Sequence, residues 1–357
     1  MNYRTVTACR LLFCAATLIS PGFTSGIIAQ EGAEGVQRTS LLMGTRTRVQ
    51  VYGQNRAEAI EASDAVLREI ARVEGLISTW IPSSELSRIN SLPVGTPAPL
   101  NAEVAGWLRE LDQLRSQTDG AFEPILGSLI DAWNLRGTGR EPTQTELTNA
   151  LLAVGNKAFR INPTKNEIER LHTAAWIDAG GFGKGIALRL AADTLRARGL
   201  SGVVDLGGQL VVVGDAAEHI NIPTPTDRTR PERSVRIRNS SIATSGLSER
   251  GIVINEKRLG HILNPRNGQP IVDWGVVTVV AEDPVVADVL STALFVLGPK
   301  HGMELAQTLE GIGVLFQEQP PMNQTFEVGY RREVPGRAHA IQINEAMQEL
   351  LTHNSRN

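Results

Sequence analysis

The sequence predicts a mixed α/β fold: a single interleaved unit with mixed sheets flanked by helices. Three observations lead there. Strand-like runs of period two and helical runs of period near 3.6 follow one another along the chain from about residue 41 to residue 350. No internal repeat, low-complexity block or linker rich in Pro, Gly and Ser divides that stretch. The 357 residues are 41% hydrophobic, enough for a sizeable core, and carry a formal charge of only −3. That charge argues against a general nucleic-acid binder, which needs a basic surface. Beyond the N-terminus no run of ~18 apolar residues is present, so no membrane span is expected in the mature chain.

Residues 1–30 have the pattern of a secretory signal peptide. Arg4 and Arg10 give a basic start, Leu11 to Ile19 is a short apolar core, Pro21-Gly22 ends it, and small residues follow. The competing reading is an ordinary buried helix. Export to the periplasm or cell envelope is the expectation. Both cysteines, Cys9 and Cys14, lie in this segment, so the mature chain would carry no thiol, disulfide or cysteine ligand. Residues 31–40, starting Glu31-Gly-Ala-Glu-Gly35, read as a loose segment.

Leu41 to Tyr52 reads as a strand pair broken at Gly44, with Thr47, Val49 and Val51 alternating. Ala57 to Ile77 reads as a helix, with Ile60, Leu67, Ile70, Val73 and Ile77 on one face. Pro82 ends that region, and Ser84 followed by Glu85 and Ser87 starts a new helix. Asn101 to Thr118 is amphipathic through Val104, Trp107, Leu108, Leu111 and Leu114, and Thr118-Asp119-Gly120 is a sharp turn. A short helix follows over 145–153, then a hairpin over Phe159 to Trp176, with Arg160 to Asn162 and Glu167 to Leu171 about a turn at 163–166. Ala175 to Ile177 is β-like, and Ile186 to Arg198 is helical. Between those two lies Asp178-Ala-Gly-Gly-Phe-Gly-Lys184-Gly185. Gly207-Gly208 falls within another strand-like run. Ser234 to Ile242, Gly251 to Leu259 and Val276 to Ala281 read as strands, and Ala287 to Leu297 as a helix. The tail holds one further strand-like run and a short helix.

Several of these segments could carry chemistry. A strand, glycine loop and helix together form an anion cradle, in which backbone N–H groups and a helix start favour phosphate. The spacing here fits neither G-x-G-x-x-G nor the nucleotide P-loop, and a tight packing turn explains the glycines equally well. Asp288 and Thr292, four apart, share a helix face, with Ser291 adjacent. Such an oxygen pair suits Mg²⁺, while a capping Asp beside a solvated Thr accounts for the same spacing. His261 is of a residue type suited to general-base work, or is a structural turn residue. Trp80 and Phe122 stand at element ends beside polar residues, placed to stack on a planar ring or to pack in a core. No G-x-S-x-G is present.

Taken in order, these segments resemble the ApbE family of FAD:protein FMN transferases. The motifs are Leu42-Met43-Gly44-Thr45, Ser78-Thr79-Trp80 with Ser84 to Asn90, Thr118 to Pro124, and Asp178 to Gly185. They continue with Gly207-Gly208, Thr244-Ser245-Gly246 with Arg250, Gly260 to Pro265 with Gly268, and Ala287 to Thr292. The resemblance covers about residues 41–309. It implies that FAD binds in a cleft as substrate, with Mg²⁺ at its pyrophosphate. FMN would pass to a Thr or Ser hydroxyl of an exported acceptor, an envelope redox protein near the membrane, and AMP would leave. Met43, Trp80, Ala121, Phe122, Glu123, Asp178, Lys184 and Ile262 fall at flavin-contacting positions of the family. Asp288 and Thr292 fall at metal-ligand positions, Gly181 where a backbone carbonyl serves the metal, and Ser291 where some members place another ligand. His261 falls where a residue assists the acceptor hydroxyl. Three positions depart from the family: Glu123 stands for a commoner Asp, Gly181 for Ala or Thr, and Ser291 for an Asp. An FAD pyrophosphatase using water as acceptor, or a non-catalytic exported FAD-binding protein, are the alternative functions. No nucleic-acid partner is expected.

Overall fold

The computed structural model describes residues 34–162, 164–214, 217–225, 233–247, 251–254, 257–319 and 341–353. Residues 1–30, with the pattern expected of a signal peptide, and Arg250 lie outside these. The first elements are β1 (Glu34–Leu42), β2 (Thr45–Gly53), α1 (Arg56–Ile77), α2 (Glu85–Asn90), β3 (Ala98–Pro99) and α3 (Ala102–Gln117). Next come α4 (Gly127–Ala132), α5 (Gln144–Leu151), β4 (Phe159–Asn162), β5 (Glu167–Arg170) and α6 (Gly183–Arg196). Strands β6 (Ser201–Leu206), β7 (Gln209–Val213), β8 (Glu218–Ile222), β9 (Arg233–Ile237) and β10 (Ser241–Gly246) follow. The remainder is β11 (Gly251–Ile254), β12 (Lys257–Gly260), β13 (Gly275–Ala281), α7 (Pro284–Ala306), β14 (Gly313–Glu318), β15 (Ile341–Ile343), α8 (Glu345–Leu350) and β16 (Leu351–His353).

Eight strands form one wide sheet in the order β1-β2-β6-β7-β10-β13-β14-β15. Period-two alternation gives it two apolar faces. Val204, Leu206, Val211 and Val213 face a layer of α1, α6 and α7. Val203, Leu210, Val212, Val280 and Leu315 face the small sheet β16-β9-β8 and Met347 of α8. The all-buried run Val276 to Ala281 in β13 follows from this coverage on both sides. The mixed α/β class is therefore what the chain adopts. The sheets themselves, expected to be mixed, pair antiparallel in every ladder between named strands among the described residues, with one isolated parallel bridge between Val94 and Arg170. Two-residue connections account for the β1–β2, β6–β7 and β11–β12 pairs, since so short a turn leaves the second strand antiparallel to the first.

Two of those turns fix one end of the sheet. Met43 and Gly44 turn β1 into β2 with φ of 55° and 67°, and Gly207 and Gly208 turn β6 into β7 with φ of 60° and 99°. Positive φ at both central positions is what such hairpins require. The two turns abut, with the Gly207 N–H donating to the Arg46 carbonyl at 3.2 Å.

Several expectations change. Residues 34–40, expected to be loose, belong to β1, which pairs residue by residue with β2. Ile60 of α1 points to solvent, and the buried stripe runs through Ala59, Ala62, Ser63, Val66, Ile70, Val73 and Ile77. Small residues, which carry little hydrophobic signal, therefore make the closest contact. Ala175 to Ile177 joins no sheet. The Asn90 side chain stands in for a strand neighbour, donating to the Ile177 carbonyl at 2.9 Å and accepting its N–H at 2.8 Å. Ser234 to Ile242 divides into β9 and β10 in different sheets, at a turn where Asn239 has φ 44°. Helix α6 starts three residues earlier than read, at Gly183, and α7 runs from Pro284 through a kink at Gly298.

Candidate active site

The Asp178–Gly185 loop is held at both ends. The Asp178 N–H donates to the Pro124 carbonyl at 2.9 Å, and its Oδ2 accepts the Gly180 N–H at 2.9 Å. The loop then feeds α6, whose first residue is Gly183 and whose N-cap, Phe182, contributes no side-chain hydrogen bond. Uncapped N–H groups at a helix start need an acceptor from elsewhere. Asp288 of α7 supplies one, its Oδ2 accepting the Gly185 N–H at 2.8 Å. Only glycine permits this approach. A β-carbon at Gly185 would lie 2.7 Å from the Pro284 carbonyl oxygen and 2.8 Å from the Val285 Cα.

Asp288 is buried, and burial pushes its carboxyl above the ordinary range, against the opposing pull of Lys184 and the Gly185 N–H. Lys184 acts in the same way on Asp205, a second buried carboxyl raised by desolvation. Asp288 is not the cap of its helix. Asp283 fills that role, accepting the Val285 N–H at 2.7 Å. The capping explanation for Asp288 is thereby removed. One turn on, the Ser291 and Thr292 hydroxyls donate to the Asp288 carbonyl at 2.9 and 3.2 Å. Ser291 also accepts from the Ser245 hydroxyl at 2.9 Å, which ties α7 to β10. Gly181 faces this group: a β-carbon there would lie 3.5 Å from the Thr292 Oγ1 and 3.4 Å from the Phe122 ring. Asp288, Ser291 and Thr292 of α7 are thus brought together with Gly181 of the glycine loop. Among the described residues no three His, Cys, Asp or Glu side chains gather as a metal site. The oxygens here come from one carboxylate, hydroxyls and the backbone.

The predicted flavin-contacting residues separate into two kinds. Ala121, Phe122 and Glu123 are buried. Phe122 packs beneath Gly181 as floor and offers no open ring face. The Glu123 carboxylate accepts the Ile125 N–H at 2.9 Å, with Arg115 at 4.0 Å. Desolvation lifts it to about 7. Met43 reaches the start of α6, where a β-carbon on Gly183 would lie 3.4 Å from its methyl. Trp80, by contrast, is 71% exposed. One of its faces is covered by the Arg136 guanidinium at 4.6 Å, and Arg136 pairs with Asp178 at 3.0 Å. Arg136 went unnoticed in the sequence because it stands in a polar loop, where an arginine has no periodic or motif signal.

His261 and Ile262 open a turn-rich loop after β12. Its strands are bridged at Leu263 and Pro270, and the Ile271 N–H donates to the Ile262 carbonyl at 2.9 Å. Two long-range bonds brace it. The Trp133 indole donates to the Gly268 carbonyl at 2.7 Å, and Arg266 reaches Asp119 at 2.6 Å. Ile262 packs against the cluster that contains Leu290 and Leu294 of α7, and His261 is exposed.

Residues 43–316 match the model of the ApbE family. The FAD:protein FMN transferase of Haemophilus influenzae is 28% identical over 261 residues, 69% of this chain and 75% of its own. The solved ApbE protein of Thermotoga maritima superposes with a TM-score of 0.78 at 24% identity, covering 89% of this chain and 99% of that one. The apo flavinyl transferase ApbE of Pseudomonas stutzeri gives a TM-score of 0.74 at 26% identity, covering 89% and 97%.

Proposed function

The chain belongs to the ApbE family, and we propose that it is an Mg²⁺-dependent FAD:protein FMN transferase acting on an exported acceptor. The observation that carries this reading is the buried Asp288 carboxylate held at the head of α6, with the Thr292 hydroxyl and the Gly181 backbone beside it. One carboxylate, hydroxyls and a carbonyl are hard oxygen donors. Such a set suits Mg²⁺, which keeps several positions for water and substrate phosphate. Asp288, Thr292 and the Gly181 carbonyl would hold it, with Ser291 adjacent. When bound it supplies neutralisation of the pyrophosphate charge.

The chain's own residues do the rest. Lys184, at the start of α6, adds positive charge beside the pyrophosphate. Met43, Trp80, Asp178 and Ile262 contact the dinucleotide, over a floor of Ala121, Phe122 and Glu123. The acceptor's Thr or Ser hydroxyl attacks the phosphorus on the FMN side. The new P–O bond forms as the bond to the bridging oxygen breaks, and that oxygen leaves with its electron pair on AMP. His261 takes the hydroxyl proton. Its exposure suits a base that must meet a residue on another protein, and such bases typically contribute ~10²–10⁴-fold. Export is supported by the basic start and apolar run of residues 1–30.

Incubation with FAD, Mg²⁺ and a purified acceptor tests the reading. Covalent flavin fluorescence on the acceptor, with stoichiometric AMP, is the expected result. FMN and AMP released at the same rate without acceptor would instead identify a hydrolase.

A further inference from the structure

Arg136 makes stacking, ionic and hydrogen-bonding contacts beside Trp80 and Asp178, and nothing in the proposed chemistry uses it. Its guanidinium lies between two indoles, 4.6 Å from the Trp80 ring centre and 4.3 Å from that of Trp176. It also pairs with Asp178 Oδ1 at 3.0 Å and donates to the Thr79 hydroxyl and, at 3.4 Å, to the Thr79 carbonyl. Three loops meet through this one residue: that carrying Thr79 and Trp80, that following α4, and the glycine loop.

The anchoring is built from below. Trp176 is fixed by its indole N–H, which donates to Asp131 Oδ2 at 2.8 Å. Its ring lies flat on Gly127, where a β-carbon would come within 2.0 Å. Trp176, Arg136 and Trp80 therefore form a column with a rigid base and an open top, since Trp80 remains 71% exposed with one face already covered. Guanidinium is the cation suited to such a place, because it is planar and can stack on both sides while its edge N–H groups hold a carboxylate.

We propose that Arg136 is a positioning residue for the dinucleotide, holding Trp80 as a fixed stacking platform and neutralising Asp178 beside the phosphates. The inference rests on the FAD-binding reading above. Its second half follows from charge alone. Asp178 opens the loop that would contact an anionic dinucleotide, and an unpaired carboxylate there would repel the ligand. With Arg136 against Oδ1 and the Gly180 N–H against Oδ2, both oxygens are occupied and the local charge is balanced.

The test is FAD affinity, read by quenching of flavin fluorescence with no Mg²⁺ and no acceptor, so that no turnover intrudes. Arg136→Ala should weaken FAD binding about tenfold through loss of both stacking contacts and exposure of Asp178. Arg136→Lys should recover only part of this, because an ammonium keeps the charge without the planar stack. Adding Asp178→Asn to Arg136→Ala should tighten FAD binding relative to Arg136→Ala alone, because the uncompensated charge is gone. A purely structural role for Arg136 would give no such gain. FAD binding by Arg136→Ala within twofold of the unaltered chain, or tighter, would overturn the inference. So would a double variant that binds no better than Arg136→Ala. No FAD binding by the unaltered chain would overturn the functional reading and this inference together.

Discussion

The Gly185 N–H and the Asp288 carboxylate meet at 2.8 Å across the contact between α6 and α7. That bond couples backbone packing to the candidate metal site. The glycine allows the helices to touch, and their contact places the carboxylate at the head of α6, where a helix start favours negative charge.

Gly185→Ala should therefore be costly. Its β-carbon would meet the Pro284 carbonyl and the Val285 backbone well inside contact distance, and backbone cannot swing aside as a flexible side chain can. The helices must separate, at a cost of ~2 kcal/mol in the range of overpacked cores. Gly181→Ala makes the matching control. Its nearest neighbours would lie at 3.4 Å or more, an ordinary contact distance, so its stability should stay within ~0.5 kcal/mol of the parent. Urea denaturation of both variants checks the contrast.

Glu123 predicts a pH dependence. Desolvation raises its carboxyl from 4.5 to about 7, against the Ile125 N–H and Arg115, which pull it down. The folded chain keeps a proton that the unfolded chain releases from about pH 4.5 upward. Stability contributed by that proton is present below about pH 4.5, falls as pH rises to about 7 and is then constant. The full effect is about 3 kcal/mol. Asp205 and Asp288, also raised by burial, act in the same direction. Glu123→Gln should be less sensitive to pH than the parent between pH 5 and 8, as measured by denaturation midpoints at both. An unchanged difference between the two pH values would contradict this environment for Glu123.

The loop bearing His261 should respond to its braces. Trp133→Phe removes the indole N–H that serves the buried Gly268 carbonyl and should cost ~1–3 kcal/mol. Transfer to acceptor should fall several-fold while FAD affinity, carried mainly by other loops, changes little. Arg266→Ala removes an exposed pair with Asp119 and should alter stability by under ~1 kcal/mol. Stopped-flow transfer rates alongside equilibrium FAD titrations separate the two properties.

Much of this arrangement was legible in the sequence, and the misses share a cause. The helix start at Ser84, the turn at Asp119-Gly120 and the hairpin of β4 and β5 announce themselves through local chemistry. Gly181, Asp288, Ser291 and Thr292 were drawn together by motif, and the structure does bring them together. Contacts between distant segments left no local trace. Asn90 standing in as a strand partner for Ile177, Asp283 taking the cap that Asp288 could have filled, and Arg136 stacked between Trp80 and Trp176 each depend on loops that meet only in the folded chain. The hydrogen bond from the Ile125 N–H to the Glu123 carboxylate likewise left no trace in the sequence, because nothing in that irregular segment signals side-chain direction.

Asp288→Asn tests the central claim most directly. Asparagine keeps an oxygen for the Gly185 N–H, so the helix contact and the fold are retained while the negative charge is lost. Covalent FMN transfer to the acceptor, measured by in-gel flavin fluorescence across an Mg²⁺ titration, should fall at least ~100-fold, a loss on the scale of removing one charge-stabilising group, with FAD still bound. Transfer at the parental rate with the parental Mg²⁺ dependence would contradict the assignment of Asp288 to the metal.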